Sequence, residues 1–144
     1  MSPAAAAGLR GLRTDHVSLR VPDYGTALAW YQDVLGLELL HEWTDPELPG
    51  LQLCHLALGQ TKLELIGNGE PVPREPVTDV ASHMGQAGVV HLCLVVDDLA
   101  ESMATLRERG VEELAGPVPV PALGMTLFLI KDAAGNAIEI AQQD

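Results

Sequence analysis

The sequence predicts an α+β fold: paired βαβββ modules forming a curved mixed sheet around a metal site. Two observations carry this expectation. His16 and Glu64 are 48 positions apart, and so are His91 and Glu139. Behind each histidine an aspartate follows at position seven (Asp23, Asp98) and a glycine at 20 or 19 (Gly36, Gly110). A skeleton repeated at fixed spacing marks a duplicated unit. Identity between the halves is low, so the shared feature is an architecture and not a recent tandem copy.

Each module reads in the same order. Residues 15–21 and 90–96 are apolar or alternating at strand length. Thr26 to Leu35 carries Leu28, Trp30, Tyr31, Val34 and Leu35 close to a helical stripe, and Leu99 to Arg109 carries Leu99, Met103 and Leu106. Asp23 and Asp97 or Asp98 suit the N-cap, where a carboxylate accepts free backbone N–H groups. Gly36 and Gly110 suit the left-handed position that ends a helix. Three strand candidates follow each helix: 37–43, 51–58 and 61–66, then 111–115, 124–131 and 136–141. The division is therefore a loose tail at 1–13, a first module at 14–66, a Pro- and Gly-rich linker or pocket loop at 67–88, and a second module at 89–144. A second Pro-rich turn, residues 116–121, is a candidate rim. Trp30 and Tyr31 are core residues on this reading, and His41 and His83 face solvent or a loop without a role.

Side chains alternate across a strand. His16, Ser18 and Arg20 therefore share one face, His91 shares one with Cys93 and Val95, and Glu64 shares one with Lys62. Glu139 lies opposite Ile138 and Ile140. A single histidine in a strand is ordinarily a hydrogen-bonded structural residue, and a single glutamate there is ordinarily solvated. Equal spacing and matching parity of all four point instead to a shared metal site with His16, Glu64, His91 and Glu139 as ligands. Two imidazoles and two carboxylates suit one divalent ion: Zn, Ni, Co, Mn or Fe. Such an ion can chelate a carbonyl compound and stabilise the enediolate or enolate formed when the adjacent C–H loses its proton. Glu64 or Glu139 is the candidate catalytic base. His55 is a weaker candidate for that role. It joins Arg20 and Lys62 as a candidate substrate contact. Arg20 and Lys62 are equally well read as partners of acidic neighbours.

Composition narrows the classes. A net charge of −12 with only eight Lys and Arg repels a phosphate backbone, so nucleic acid is not an expected partner. No apolar stretch approaches the roughly 20 residues of a membrane span. The first residues lack the basic and apolar regions of a secretory signal, so a cytoplasmic location is expected. Cys54 and Cys93 lie in apolar runs without a CxxC spacing and read as reduced, buried thiols.

The residues that carry these signals are Asp15-His16-Val17-Ser18-Leu19-Arg20-Val21, Trp30-Tyr31 with Leu35-Gly36-Leu37, Leu58-Gly59-Gln60-Thr61-Lys62-Leu63-Glu64-Leu65, Val90-His91-Leu92 to Asp98, and residues 131–140. With them the chain resembles the vicinal oxygen chelate superfamily, which includes glyoxalase I, methylmalonyl-CoA epimerase, extradiol dioxygenases, fosfomycin-resistance thiol transferases and bleomycin-binding proteins. The resemblance covers residues 14–141. In members of the glyoxalase I type a His and a Glu from each module bind the metal, which implies that role for His16, Glu64, His91 and Glu139. Retention of Glu64 tilts the resemblance towards the isomerases, since dioxygenases and thiol transferases use two His and one Glu.

The Leu58–Leu65 segment and the step from Glu64 to His91 are more similar to methylmalonyl-CoA epimerase than to the shorter glyoxalases. Residues 70–76 depart from the epimerase pattern, and glutathione-side features of glyoxalase I are not evident, so the two substrates stay open. The resemblance implies lactoylglutathione lyase-like or acyl-CoA epimerase-like isomerisation of a small-molecule carbonyl or thioester substrate by a homodimer. The alternatives are an extradiol-type dioxygenase and a metal-free binding protein for a small molecule such as a drug.

Overall fold

A computed structural model describes residues 8–144. Two βαβββ modules follow one another, each with one mixed four-stranded sheet. The first comprises β1 (His16–Arg20), α1 (Tyr24–Asp33), β2 (Leu39–Trp43), β3 (Leu51–Leu58) and β4 (Thr61–Asn68). Its strand order is β1-β4-β3-β2, with β1 and β4 parallel. A short helix, α2 (Val80–Met84), lies between the modules. The second module comprises β5 (His91–Val95), α3 (Leu99–Glu108), β6 (Glu113–Val120), β7 (Met125–Lys131) and β8 (Ala137–Gln143), in the order β5-β8-β7-β6. The expected repeat is therefore present strand for strand. The expected tail at 1–13 falls partly outside the described residues, and 12–15 carry no helix or strand.

Local chemistry explains the helix ends. Asp23 accepts from Thr26 N and Asp98 from Glu101 N, so each duplicated aspartate caps its helix. Of the two candidates in the second module, Asp98 is the cap. Gly36 and Gly110 have φ of 70° and 71°, the left-handed conformation that a side chain would strain. α1 buries Tyr24, Ala27 and Tyr31, and α3 buries Leu99, Met103 and Leu106, one stripe each.

One apolar cluster joins the modules, built from these stripes with Cys54, Leu56, Leu63, Leu65, Phe128, Ile130, Ile138 and Ile140. The helices thus cover the strand faces opposite Glu64 and Glu139 and leave the other faces for chemistry. Two polar contacts fasten the halves: Tyr31 donates to Asp132 Oδ2 at 2.5 Å, and Arg109 donates to the carbonyl of Val34 at 2.5 Å.

The close approach of α1 to β4 depends on Gly67. A Cβ there would lie 2.5 Å from Tyr24 Cβ and 2.6 Å from its Cα, a clash with the first turn of the helix. Gly67→Ala is expected to destabilise the fold by about 1–3 kcal/mol or more, measured by urea denaturation, because overpacking at backbone cannot be relieved by a rotamer change.

Two segments differ from expectation. Residues 116–120 are not a turn but the outer part of β6, which pairs with β7 through register shifts. Proline is tolerated there because β6 is an edge strand. The 67–88 segment contains the last residues of β4 and the helix α2, whose Asp79 and Ser82 form a reciprocal capping box. No helix among the described residues is long and apolar enough to cross a membrane.

Candidate metal centre

The first histidine–glutamate pair sits on adjacent parallel strands. Ser18 is the register partner of Glu64, so His16 lies diagonally from it on the same face. His16 Nε2 is 3.8 Å from Glu64 Oε1. On the other side, β3 runs antiparallel to β4 and places His55 directly opposite Glu64. His55 Nε2 and Glu64 Oε2 are 2.9 Å apart. Glu64 thus lies between two imidazoles with its side chain only 12% exposed.

Each of these groups is held from behind. Asp15 Oδ2 is 2.8 Å from His16 Nδ1, which donates to it and leaves Nε2 on the side of Glu64. Lys62 Nζ is 3.1 Å from Asp15 Oδ1 and fixes that carboxylate in turn. Ser18 Oγ donates to Glu64 Oε1 at 2.8 Å. Burial pushes the Glu64 carboxyl up, but hydrogen bonds from Ser18 and His55 and the charges of His16 and His55 outweigh it. The net effect holds Glu64 below the usual carboxylate range, ionised at neutral pH. The Trp43 ring meets His55 edge-on at 4.8 Å and closes that side.

In the second module His91 Nε2 is 3.5 Å from Glu139 Oε2, whose side chain is 14% exposed. Cys93 takes the register position that Ser18 holds in the first module. Cys93 is free and exposed, which corrects its assignment as a buried thiol; Cys54 is free and buried as expected. Desolvation at the sulfur, with the hydrogen bond and charge of Glu139, pushes the Cys93 thiol up to about 11, so it remains protonated beside the carboxylate.

His83 also departs from expectation. It is not solvent-facing but 2% exposed on α2, with Nε2 at 3.0 Å from His91 Nδ1. Burial, then the charge of His91, lowers its pKa, so it is neutral and able to accept from His91.

The first module offers a donor set that fits one divalent ion. His16, His55 and Glu64 each offer a ligand atom, all within 4.8 Å of one another, and no other group of three or more histidine, cysteine or acidic residues meets this spacing among the described residues. Donors about 2.1 Å from a common ion lie roughly 3–4 Å apart, so the three residues fit with small side-chain adjustments. His91 and Glu139 are a second pair outside that group.

The remaining candidate contacts divide. Arg20 donates to the carbonyls of Val21, Ile66 and Asn68 at 2.7, 3.0 and 2.5 Å, so its guanidinium is engaged with backbone and not with an acidic side chain. It nevertheless lines a cavity of about 370 Å³ together with Arg74, His83, Lys131 and Asn136. The loop at 71–77 folds over this cavity and brings Arg74 to it. Three of the eight cationic side chains of an otherwise acidic chain meet there. A second cavity of about 240 Å³ shares Arg20, Arg74, Asn136 and Ala137 with the first and is also lined by Ser18 and His91.

A duplicated βαβββ scaffold with a His–Glu pair on the open face of each sheet defines a chelate-type protein. Residues 13–140 match the Glyoxalase/Bleomycin resistance protein/Dioxygenase superfamily, and the chain belongs to it. The human mitochondrial methylmalonyl-CoA epimerase is 29% identical over 133 residues, covering 90% of this chain and 73% of that protein. The ethylmalonyl-CoA/methylmalonyl-CoA epimerase of Cereibacter sphaeroides is 29% identical over 136 residues, 90% of this chain and 97% of that protein. A lactoylglutathione lyase of Salmonella typhimurium is 26% identical over 137 residues, covering 91% and 93%. Among solved structures, a glyoxalase family protein from Enterococcus faecalis superposes with a TM-score of 0.75 at 26% identity, covering 90% of this chain and 96% of that one.

Proposed function

We propose that the protein is a divalent-metal-dependent enzyme that moves a proton at the carbon beside a carbonyl, with an acyl-CoA thioester as the leading substrate class. The observation that carries this reading is Glu64, held ionised between His16 and His55, with a second His–Glu pair, His91 and Glu139, at the matching register of the other module. Support for the thioester comes from similarity to the epimerases along most of their length and from the cationic cavity, which suits a phosphate-bearing carrier.

His16, His55 and Glu64, together with the second pair His91 and Glu139, are the residues that would hold the ion. When bound, a divalent ion acts as a Lewis acid for the negative charge that develops on the carbonyl oxygen. Glu139 is the proton acceptor in this scheme, because its carboxylate has the Cys93 thiol and His91 beside it, whereas Glu64 is committed to Ser18, His16 and His55. Arg74 orients the anionic end of the substrate, with Arg20 fixing the backbone at the same cavity and Lys131, paired with Glu112, in its wall. A homodimer is the expected assembly.

The test is solvent exchange. The metal-loaded protein is expected to wash deuterium into the acidic α-carbon of a branched malonyl-type CoA thioester, seen by mass spectrometry, and to stop when EDTA removes the metal. Absence of exchange with every one of Zn, Ni, Co, Mn and Fe would overturn the proposal.

A second reading has one specific observation behind it. His16, His55 and Glu64 form a two-histidine, one-carboxylate set, the donor set of non-haem Fe(II) oxygenases. Fe²⁺-dependent oxygen uptake with catechols would select it over proton transfer.

A further inference from the structure

We infer that His83 is a positioning residue for the candidate ligand His91: it accepts the Nδ1–H of His91 and so keeps the other ring nitrogen, Nε2, turned towards Glu139. The inference rests on the metal-dependent reading above and adds to it a residue from α2, outside both sheets.

Three observations support it. The first is geometry. His83 is 2% exposed, its Nε2 lies 3.0 Å from His91 Nδ1, and the two ring centroids are 5.2 Å apart. On the far edge of the same ring, His91 Nε2 is 3.5 Å from Glu139 Oε2. A neutral imidazole that offers one nitrogen to an ion carries its proton on the other, so donation runs from His91 to His83.

The second observation is a difference between the modules. In the first, the residue before the histidine is Asp15, whose carboxylate accepts from His16 Nδ1. In the second that position is Val90, which has no side-chain acceptor. His83 supplies from the inter-module helix what the strand lacks. The Asp15 side chain is 69% exposed, so water can stand in for it, whereas an acceptor as buried as His83 is not readily replaced.

The third is that the helix is held independently of this contact. Asp79 and Ser82 cap α2 reciprocally. Gln86 donates to the carbonyl of Glu75 at 3.1 Å, and Arg74 to the carbonyl of Val89 at 3.3 Å, tying the loop to the chain beyond the helix. His83 also lines the cationic cavity with Arg74. The ring that backs His91 therefore stands in the wall of the cavity proposed for the anionic end of the substrate.

Cobalt(II) titration by calorimetry, on proteins whose folding is checked by circular dichroism and thermal melts without metal, tests this. His83→Phe keeps an aromatic ring but loses the acceptor, and should weaken cobalt binding about 10–100-fold, the usual cost of removing an outer partner. His83→Gln places an amide oxygen near the same position and should recover affinity to within about threefold of the wild type. His91→Ala should weaken binding as well, and adding His83→Phe to it should cost nothing more, because His83 acts through His91. In the zinc-loaded wild type, nitrogen-15 NMR should find the His91 proton on Nδ1 and His83 Nε2 unprotonated. Four results each overturn the inference and leave the metal-dependent reading standing: His83→Phe binds cobalt like the wild type, the Phe and Gln variants lose affinity equally, the loss persists in the His91→Ala background, or His83 Nε2 carries the proton. If the wild type binds no cobalt, zinc or nickel, that reading fails and this inference fails with it.

Discussion

Glu64→Ala is expected to abolish metal-dependent activity and to weaken metal binding by at least about 100-fold, because loss of an outer-shell partner alone typically costs 10–100-fold. Glu64 is the common neighbour of His16, His55 and Ser18, so its removal leaves two imidazoles and a hydroxyl without the group they converge on. Glu64→Gln keeps the size and an acceptor for Ser18 but removes the negative charge, and should fall between the wild type and Glu64→Ala. Ser18→Ala should give the milder, outer-shell loss. Cobalt affinity and deuterium exchange measured on the same preparations check the series. A Glu64→Ala protein with intact cobalt affinity would remove the first module from the metal site.

Asp132→Ala is expected to produce the largest loss of stability, about 3 kcal/mol or more. Asp132 is 6% exposed and accepts four hydrogen bonds: from Tyr31 Oη, Ala134 N, Asn136 N and Asn136 Nδ2. Removing the carboxylate leaves buried donors without partners, each a desolvation penalty of about 1–3 kcal/mol before relaxation. Tyr31→Phe deletes only one of these bonds and should cost about 1–2 kcal/mol. A double-mutant cycle on the pair should return a coupling energy, since the two side chains touch across the modules.

The same contact predicts a pH response. Burial, then the charge of Asp132 and its hydrogen bond, raises the Tyr31 pKa far above the ordinary phenol value. The unfolded phenol ionises near 10 while the folded one does not, so the unfolded state releases the extra proton. Stability is therefore present below about pH 10 and is lost as pH rises from there, and Tyr31→Phe should flatten that loss in alkaline denaturation.

Much of this was legible in the chain. The interval of 48 positions located both His–Glu pairs, and the duplicated Asp23/Asp98 and Gly36/Gly110 located both helices, because caps and left-handed glycines are local requirements. The place of His55 opposite Glu64 was also readable in principle. β3 and β4 are joined by the two residues Gly59-Gln60, and so tight a hairpin sets the register once its turn is recognised. That signal was missed because parity alone assigns a face and not a partner.

His83 was not readable. Nothing in a five-residue helix within a Pro-rich loop says that its histidine turns inward onto a ring nitrogen of His91. Arg20 shows the same limit. Parity places it on the candidate face, but only the folded backbone supplies the three carbonyls that hold its guanidinium.

The duplicated βαβββ order, the helix caps, the covered and open faces of the strands and the two His–Glu pairs are written in the chain alone. These follow from periodicity and local hydrogen bonding, which act over a few residues. Tertiary structure alone decided which donors converge. Strand pairing brings His55 to Glu64 and leaves Leu129 opposite Glu139, and a loop helix brings His83 to His91. Convergence depends on register between distant segments, and register is set by the whole sheet and the core beneath it.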